Sequence, residues 1–147
     1  MDRESLLELW DDAWAVGSWF GSWTAALDGL SPEAANWSPQ PGAHSIWQLV
    51  NHVAFWREET LRILAGRPLT APQERARLNF PAPEHADADA WQAARERLAT
   101  TQRELRAAIA RLETPLERPR MHLVHDANHL GQVLYVRALL GKASLVS

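Results

Sequence analysis

The chain has 147 residues, a formal net charge of -3, six histidines, eight tryptophans and no cysteine. Without cysteine, disulfides, thiolate ligands and a cysteine nucleophile are excluded, so any metal site must use His, Asp or Glu. The charge balance favours neither nucleic acid nor anionic membranes. No apolar run approaches the ~20 residues of a membrane span, and the first residues lack a signal-peptide pattern. We therefore expect one cytoplasmic domain over residues 1–147.

Residues 4–28 are predicted to form the first helix, ending at Gly29. Two apolar sets repeat every seven residues and are offset by three: Leu6, Ala13, Phe20, Leu27 and Leu9, Val16, Trp23, Leu30. Such a seam is typical of a helical bundle. Trp10, Trp14 and Trp19 lie off the seam, where they would cover the flank of the bundle, line a pocket or lie in a subunit interface.

Residues 31–45 are predicted to form a loop, in which Ser31 caps a short helical turn. Ser45 is the predicted N-cap of a second helix over residues 46–65, which ends at Gly66. His52 lies at the border of its apolar side, a position typical of a hydrogen-bonded core residue. Arg57, with Glu58 and Arg62, belongs to the predicted charged face.

Residues 66–86 form a long proline-rich connection, so this segment is either functional or wraps an end of the bundle. His85 within it is predicted to be exposed. A third helix is predicted over residues 87–112, capped by Asp87 or Asp89, and residues 113–119 separate it from the next.

The fourth predicted helix, over residues 121–141, carries three of the six histidines. His125 and His129 are four residues apart and present two imidazoles to one point, as a divalent metal needs. An opposite apolar stripe predicts that the helix is buried on both sides. This stripe comprises Leu123, Ala127, Leu130 and Leu134.

The pattern predicts an all-α four-helix bundle. An antiparallel up-and-down arrangement fits, and the long second connection also allows a crossover. If the apolar faces of the second and fourth helices meet, His52 joins His125 and His129. Three neutral imidazoles with an open fourth position are typical of a catalytic metal site, which lowers the pKa of bound water or accepts a thiolate or carboxylate.

Two segments resemble the DinB/YfiT-like superfamily of small bacterial four-helix metalloproteins. LSPEAANWSPQPGAHSIWQLVNHVAFW resembles the family's loop, which leads through a Pro-Gly turn and a capping serine into a helix with one histidine. HDANHLGQVLYVRALLG resembles its final HxxxHxGQ helix. The resemblance implies a bundle with a crossover connection and one divalent transition metal, most often nickel or zinc, held by His52, His125 and His129. It also implies a homodimer.

Several neighbouring residues have open roles. Relatives often carry an aromatic residue where this chain has Asn128, which puts the substrate class in doubt. His122 is either a base or hydrogen-bonding partner in the pocket, or part of the helix-end surface. Gln132 is expected to support the site, Asp126 to point off the ligand face, and Glu59 to reach the rim as a candidate general base.

Characterised relatives include enzymes that join low-molecular-weight thiols such as bacillithiol to electrophiles, and a mycothiol-dependent maleylpyruvate isomerase. The resemblance therefore implies a metal-dependent thiol S-transferase acting on a small molecule. The alternatives are a metal-dependent hydrolase, a non-catalytic stress-linked binder of metal or a small ligand, and a structural homodimer whose histidines are core residues.

Overall fold

The computed structural model of the protein describes residues 1–141. Its helices are α1 (Arg3–Asp11), α2 (Trp23–Leu27), α3 (Pro32–Asn36), α4 (Ile46–Leu64), α5 (Pro72–Leu78), α6 (Ala88–Ala110) and α7 (Glu117–Leu139). A π-helical turn over Asp12–Val16 continues α1. No strand occurs within these residues, so the predicted all-α fold is confirmed.

Helices α1, α4, α6 and α7 form the bundle. Helix α4 packs against α6 and α7, and α1 packs against the same two helices. Helices α1 and α4 therefore occupy opposite corners, as do α6 and α7, and the chain crosses the bundle diagonally between the members of each pair. This agrees with a bundle containing crossover connections and not with simple up-and-down order. The long connection after α4 joins neighbouring helices, so the crossovers lie elsewhere.

The continuous first helix predicted over residues 4–28 is wrong, because the chain breaks at Gly17. This residue has a φ of +80°, and a Cβ there would lie 2.7 Å from the carbonyl oxygen of Phe20. Helical structure resumes only at Trp23, where the Ser22 hydroxyl accepts a hydrogen bond from the Ala25 amide. The predicted seam holds only in part. Leu6, Trp23, Leu27 and Leu30 are buried, whereas Leu9 and Val16, next to the break, are exposed.

The other predicted boundaries differ little from those observed. Ser45 and Gln48 cap the start of α4 reciprocally, each side chain bonding the other's backbone amide. Asp87 caps α6, which ends at Ala110 and leaves Leu112 exposed. Helix α7 starts four residues before the predicted Met121, because Pro119 is tolerated in a first turn, where its nitrogen needs no partner.

The burial of individual side chains shows which face of α7 points into the bundle. Leu130, Val133, Leu134 and Val136 are buried against the other helices. Leu123 and Ala127, from the predicted opposite stripe, are half-buried. Four of the eight tryptophans are buried inside the bundle: Trp10, Trp23, Trp47 and Trp91.

Within residues 1–141, no helix combines the length and apolar character required to cross a membrane.

The break at Gly17 predicts opposite effects of two Gly→Ala substitutions. Gly17→Ala is expected to lower the free energy of unfolding by ~1–3 kcal/mol, since alanine is strained at positive φ and its Cβ would meet backbone atoms. Gly131→Ala lies within α7 with no atom within 4 Å of the added Cβ, so it should be neutral or stabilising by up to ~1 kcal/mol. Urea unfolding measures both, and equal effects would contradict this account.

Candidate metal centre

Helices α4 and α7 bring His52, His125 and His129 together. One ring nitrogen of each lies within 4.8 Å of the corresponding nitrogens of the other two. The Nε2 atoms of His52 and His125 are 3.1 Å apart. Two imidazole nitrogens that bind one metal tetrahedrally at ~2.0–2.1 Å lie roughly 3.3 Å from each other. The spacing therefore suits a shared cation.

Each of these imidazoles has an acceptor at its other nitrogen. His52 Nδ1 lies 2.7 Å from the Asn79 carbonyl oxygen. His125 Nδ1 lies 2.8 Å from Asp126 Oδ1, and His129 Nδ1 lies 2.7 Å from Gln132 Oε1. A hydrogen-bond acceptor at Nδ1 selects the tautomer that carries its proton there, so each Nε2 keeps its lone pair. Gln132 thus has the supporting contact that the sequence led us to expect.

Lone pairs on neighbouring Nε2 atoms repel one another unless a cation lies between them. The chemistry of the donor set therefore fits a divalent metal, and neutral imidazole suits zinc, nickel, copper and iron. These residues, which sequence reasoning brought together through a spacing and a resemblance, are adjacent in the structure and could hold such an ion.

The segment Asn79–Pro81, which follows α5, forms one wall of the centre. Side chains of α4 fasten it: Gln48 Nε2 donates to the Phe80 carbonyl, Asn51 Nδ2 to the Pro81 carbonyl, and Trp56 Nε1 to Asn79 Oδ1. The Phe80 ring stacks on His52 at 3.9 Å between ring centroids and on His44 at 3.8 Å. The long connection is therefore part of the site, one of its two predicted roles.

Asp126 contributes more than its predicted position off the ligand face suggested. Its Oδ1 accepts hydrogen bonds from Nδ1 of His125 at 2.8 Å and of His122 at 3.2 Å. Its Oδ2 accepts from Arg57 Nε at 2.7 Å. Arg57 was predicted on a charged surface and is only 2% exposed. The position of a residue on a helical wheel predicts the direction of its side chain. It does not predict how far the side chain extends or which other helix packs over it.

His122 is buried, which rules out its assignment to the helix-end surface. Its Nε2 lies 2.8 Å from the Thr60 hydroxyl, and its Nδ1 donates to Asp126. His122, His125 and Asp126 also lie close enough to hold a metal. We interpret them as an outer layer of the first site, because both imidazoles use Nδ1 on a carboxylate that Arg57 already neutralises.

Glu59 lies away from the histidines. Its carboxylate accepts hydrogen bonds from the amide and hydroxyl of Thr70, next to a different cavity. Asn128 lines yet another cavity, of about 770 Å³, together with Gln132 and Tyr135. The structure therefore brings neither Glu59 nor Asn128 to the three imidazoles.

A cavity of about 750 Å³ opens beside the candidate centre. The three imidazoles, His122 and Thr60 supply its polar surface, and Trp56 and Phe80 supply aromatic walls. Exposed residues of the first turns of α7 complete its mouth: Glu117, Arg118 and Met121. The volume suits a small-molecule ligand.

The pKa values favour the protonation states that metal binding requires. Burial lowers the pKa of His52 to about 4, despite its hydrogen bond to Asn79. Burial also lowers the pKa of His129. Burial opposes the charge on Asp126, but Arg57 and the two imidazoles outweigh it and hold the pKa of that carboxyl well below its usual range. At neutral pH, His52 and His129 are therefore neutral and Asp126 is charged.

Comparison with known families decides where this chain belongs. Residues 21–136 match the model described as DinB superfamily. The chain belongs to the DinB superfamily. The match includes all three imidazoles of the candidate centre, and α1 precedes it. None of the curated proteins and none of the solved structures matched the chain.

Acidification should destabilise this DinB-superfamily protein in its metal-free form. An ordinary histidine has a pKa near 6.5, whereas His52 protonates only near 4. Between these values the unfolded state binds more protons, so the free energy of unfolding rises with pH and is lost on acidification, by at most ~1.4 kcal/mol per pH unit for one histidine.

Urea unfolding between pH 7 and 4 measures this dependence. His52→Gln should flatten it, whereas His85→Gln, at an exposed position, should not. Equal slopes in the two variants would show that the buried imidazole is not its source.

Proposed function

We propose that this DinB-superfamily protein binds one divalent metal, nickel or zinc, through His52, His125 and His129. The observation that carries this proposal is the convergence of one ring nitrogen from each of the three histidines, together with an acceptor at each Nδ1. Three protein ligands leave a fourth position for another molecule, which is the arrangement of catalytic sites and not of closed structural ones.

The activity that we propose is transfer of a low-molecular-weight thiol to a small electrophile in the cytoplasm. When bound, the metal supplies Lewis acidity, which favours deprotonation of a thiol or water at its open position. The chain has no cysteine, so the sulfur would come from a cosubstrate. The cavity beside the imidazoles has room for both reacting groups.

His122 supplies the proton acceptor in this proposal. Its Nδ1–H donates to Asp126, so its Nε2 carries a lone pair and receives the Thr60 hydroxyl proton at 2.8 Å. A thiol or water in the cavity could pass its proton through Thr60 to His122 Nε2. The Asp126 carboxylate would then stabilise the imidazolium, as a general base requires.

The same acceptor supports the alternative of a metal-dependent hydrolase, in which water replaces the thiol as nucleophile. The further alternative is a binder of metal or a small ligand without turnover.

We also propose that the protein forms a homodimer, and sedimentation would measure its oligomeric state. Exposed apolar side chains on one side of α7 support this proposal. They are Met121, Val124, Tyr135 and Leu139.

Removing one imidazole tests the metal site. His125→Ala should abolish stoichiometric nickel or zinc in protein purified without chelators, and should remove the rise in melting temperature that the metal gives the wild type, because two imidazoles bind far more weakly than three. Elemental analysis and thermal unfolding measure both effects. His85→Ala, at an exposed position, is the control. Wild-type metal content in His125→Ala would refute the site.

Turnover separates the enzyme from the binder. Metal-loaded protein is incubated with bacillithiol, mycothiol or glutathione and a generic electrophile, and conjugate is quantified by mass spectrometry. We expect conjugation that His52→Ala lowers at least ~100-fold, as loss of a metal that generates the nucleophile implies. Thiol consumption no greater than in His52→Ala would count against the transferase.

A further inference from the structure

The N-terminal helix α1, which lies outside the segment matched to the DinB superfamily, reaches the candidate centre through a chain of contacts. The ring of Trp10 lies 4.7 Å from the guanidinium carbon of Arg57 on α4. Arg57 Nε donates to Asp126 Oδ2 at 2.7 Å, and Asp126 Oδ1 accepts from His125 Nδ1 at 2.8 Å. Helix α1 is therefore linked to the Asp126 carboxylate through Arg57 of α4.

Arg57 is in an unusual place for an arginine. It is 2% exposed, and a buried guanidinium is costly unless an opposite charge compensates it. Asp126 supplies that charge, and the face of Trp10 covers the guanidinium in a cation–π contact. Nη1 of Arg57 is buried and has no hydrogen-bond partner among residues 1–141. The hydrogen bond from Nε is thus the contact through which Arg57 holds Asp126.

The carboxylate of Asp126 is fixed by donors on both of its oxygens. Arg57 holds Oδ2, while His122 and His125 share Oδ1. Without Arg57, Oδ2 would lose the hydrogen bond that Nε donates to it, and the carboxylate would be free to turn. Its hydrogen bond to His125 Nδ1 would then weaken, and with it the preference for the tautomer that presents Nε2 to a metal.

We propose that Arg57, held against Trp10, is the positioning residue of the metal centre. It orients Asp126, which in turn fixes the tautomer and ring orientation of His125. This inference rests on the proposed metal site. It gives α1 a part in metal affinity through the contact of Trp10 with Arg57.

Metal affinity in matched variants tests the inference. Nickel and zinc are titrated into each metal-free variant against a competing chelator. Arg57→Met should weaken binding by roughly 10-fold, the lower end of the effect of losing a direct partner of a ligand, because Arg57 acts through Asp126, and Arg57→Lys should recover part of the loss. Trp10→Leu should weaken binding several-fold, and Trp10→Phe, which keeps an aromatic face, should stay near the wild type.

Two control variants remove similar contacts elsewhere. Arg97→Met breaks a pair with Glu58 of the same 2.7 Å length between α6 and α4. Trp91→Leu removes a buried tryptophan that also has an arginine over its ring, Arg95 at 5.9 Å. Neither contact leads to the imidazoles, so both variants should keep wild-type affinity. A loss in Arg97→Met equal to that in Arg57→Met would overturn the inference.

Nitrogen NMR of the metal-free protein gives a readout that a purely structural role would not move. In the wild type, His125 should carry its proton on Nδ1, and in Arg57→Met its signal should show a mixture of tautomers. If circular dichroism shows Arg57→Met unfolded, Trp10→Leu is measured in its place. A folded variant with wild-type affinity and tautomer would overturn the inference. If the wild type binds neither metal, the proposed site fails, and the tautomer measurement still decides the role of Arg57.

Discussion

The structure depends on an electrostatic conflict at one point: three imidazole nitrogens with lone pairs are directed at each other in a mostly buried setting. Water relieves the conflict less than it would on a surface, because His52 and His129 are buried and only His125 of the three is partly exposed. A divalent cation relieves it and gains three ligands at once. Almost every polar contact near the centre can be understood as holding the rings in this orientation.

The supports come from different levels of structure. Gln132 holds His129 from within the same helix, Asp126 holds His125 from the next residue, and the Asn79 carbonyl holds His52 from a loop 27 residues away. Helices α4 and α7 supply rigidity, because their backbone hydrogen bonds do not depend on the site. The precision of the centre is thus divided between two stiff elements and one fastened loop.

Contacts between residues close together in the sequence could be predicted from the sequence, whereas contacts between distant residues could not. His125 and His129 were predictable because helical periodicity places residues four apart on one face. Gln132 was accessible by the same argument. His52 needed the resemblance, since nothing in a single sequence states that two distant helices touch. Ser45 and Gly66 marked the ends of α4 because capping chemistry is local.

Arg57, Asn79 and Phe80 could not have been assigned in this way. Arg57 has charged neighbours in the sequence and reads as surface, and only the packing of α1 over it shows that it is buried. The part played by Asn79 depends on a backbone carbonyl, which every residue has. The failed prediction at Gly17 is of another kind: Gly17 and Gly21 lower helix propensity, and the apolar repeat marks buried residues on both sides of the break without requiring one continuous helix.

The fastening of Asn79–Pro81 to α4 has a consequence for which molecules the cavity accepts. That wall cannot retreat without taking the acceptor from His52 Nδ1 and the ring of Phe80 from its stack. The opposite rim, formed by Glu117, Arg118 and Met121, is exposed and supplies none of the acceptors that hold Nδ1 of the three histidines. Selectivity for ligand size and charge can therefore diverge at the start of α7 while the grip on the metal stays unchanged.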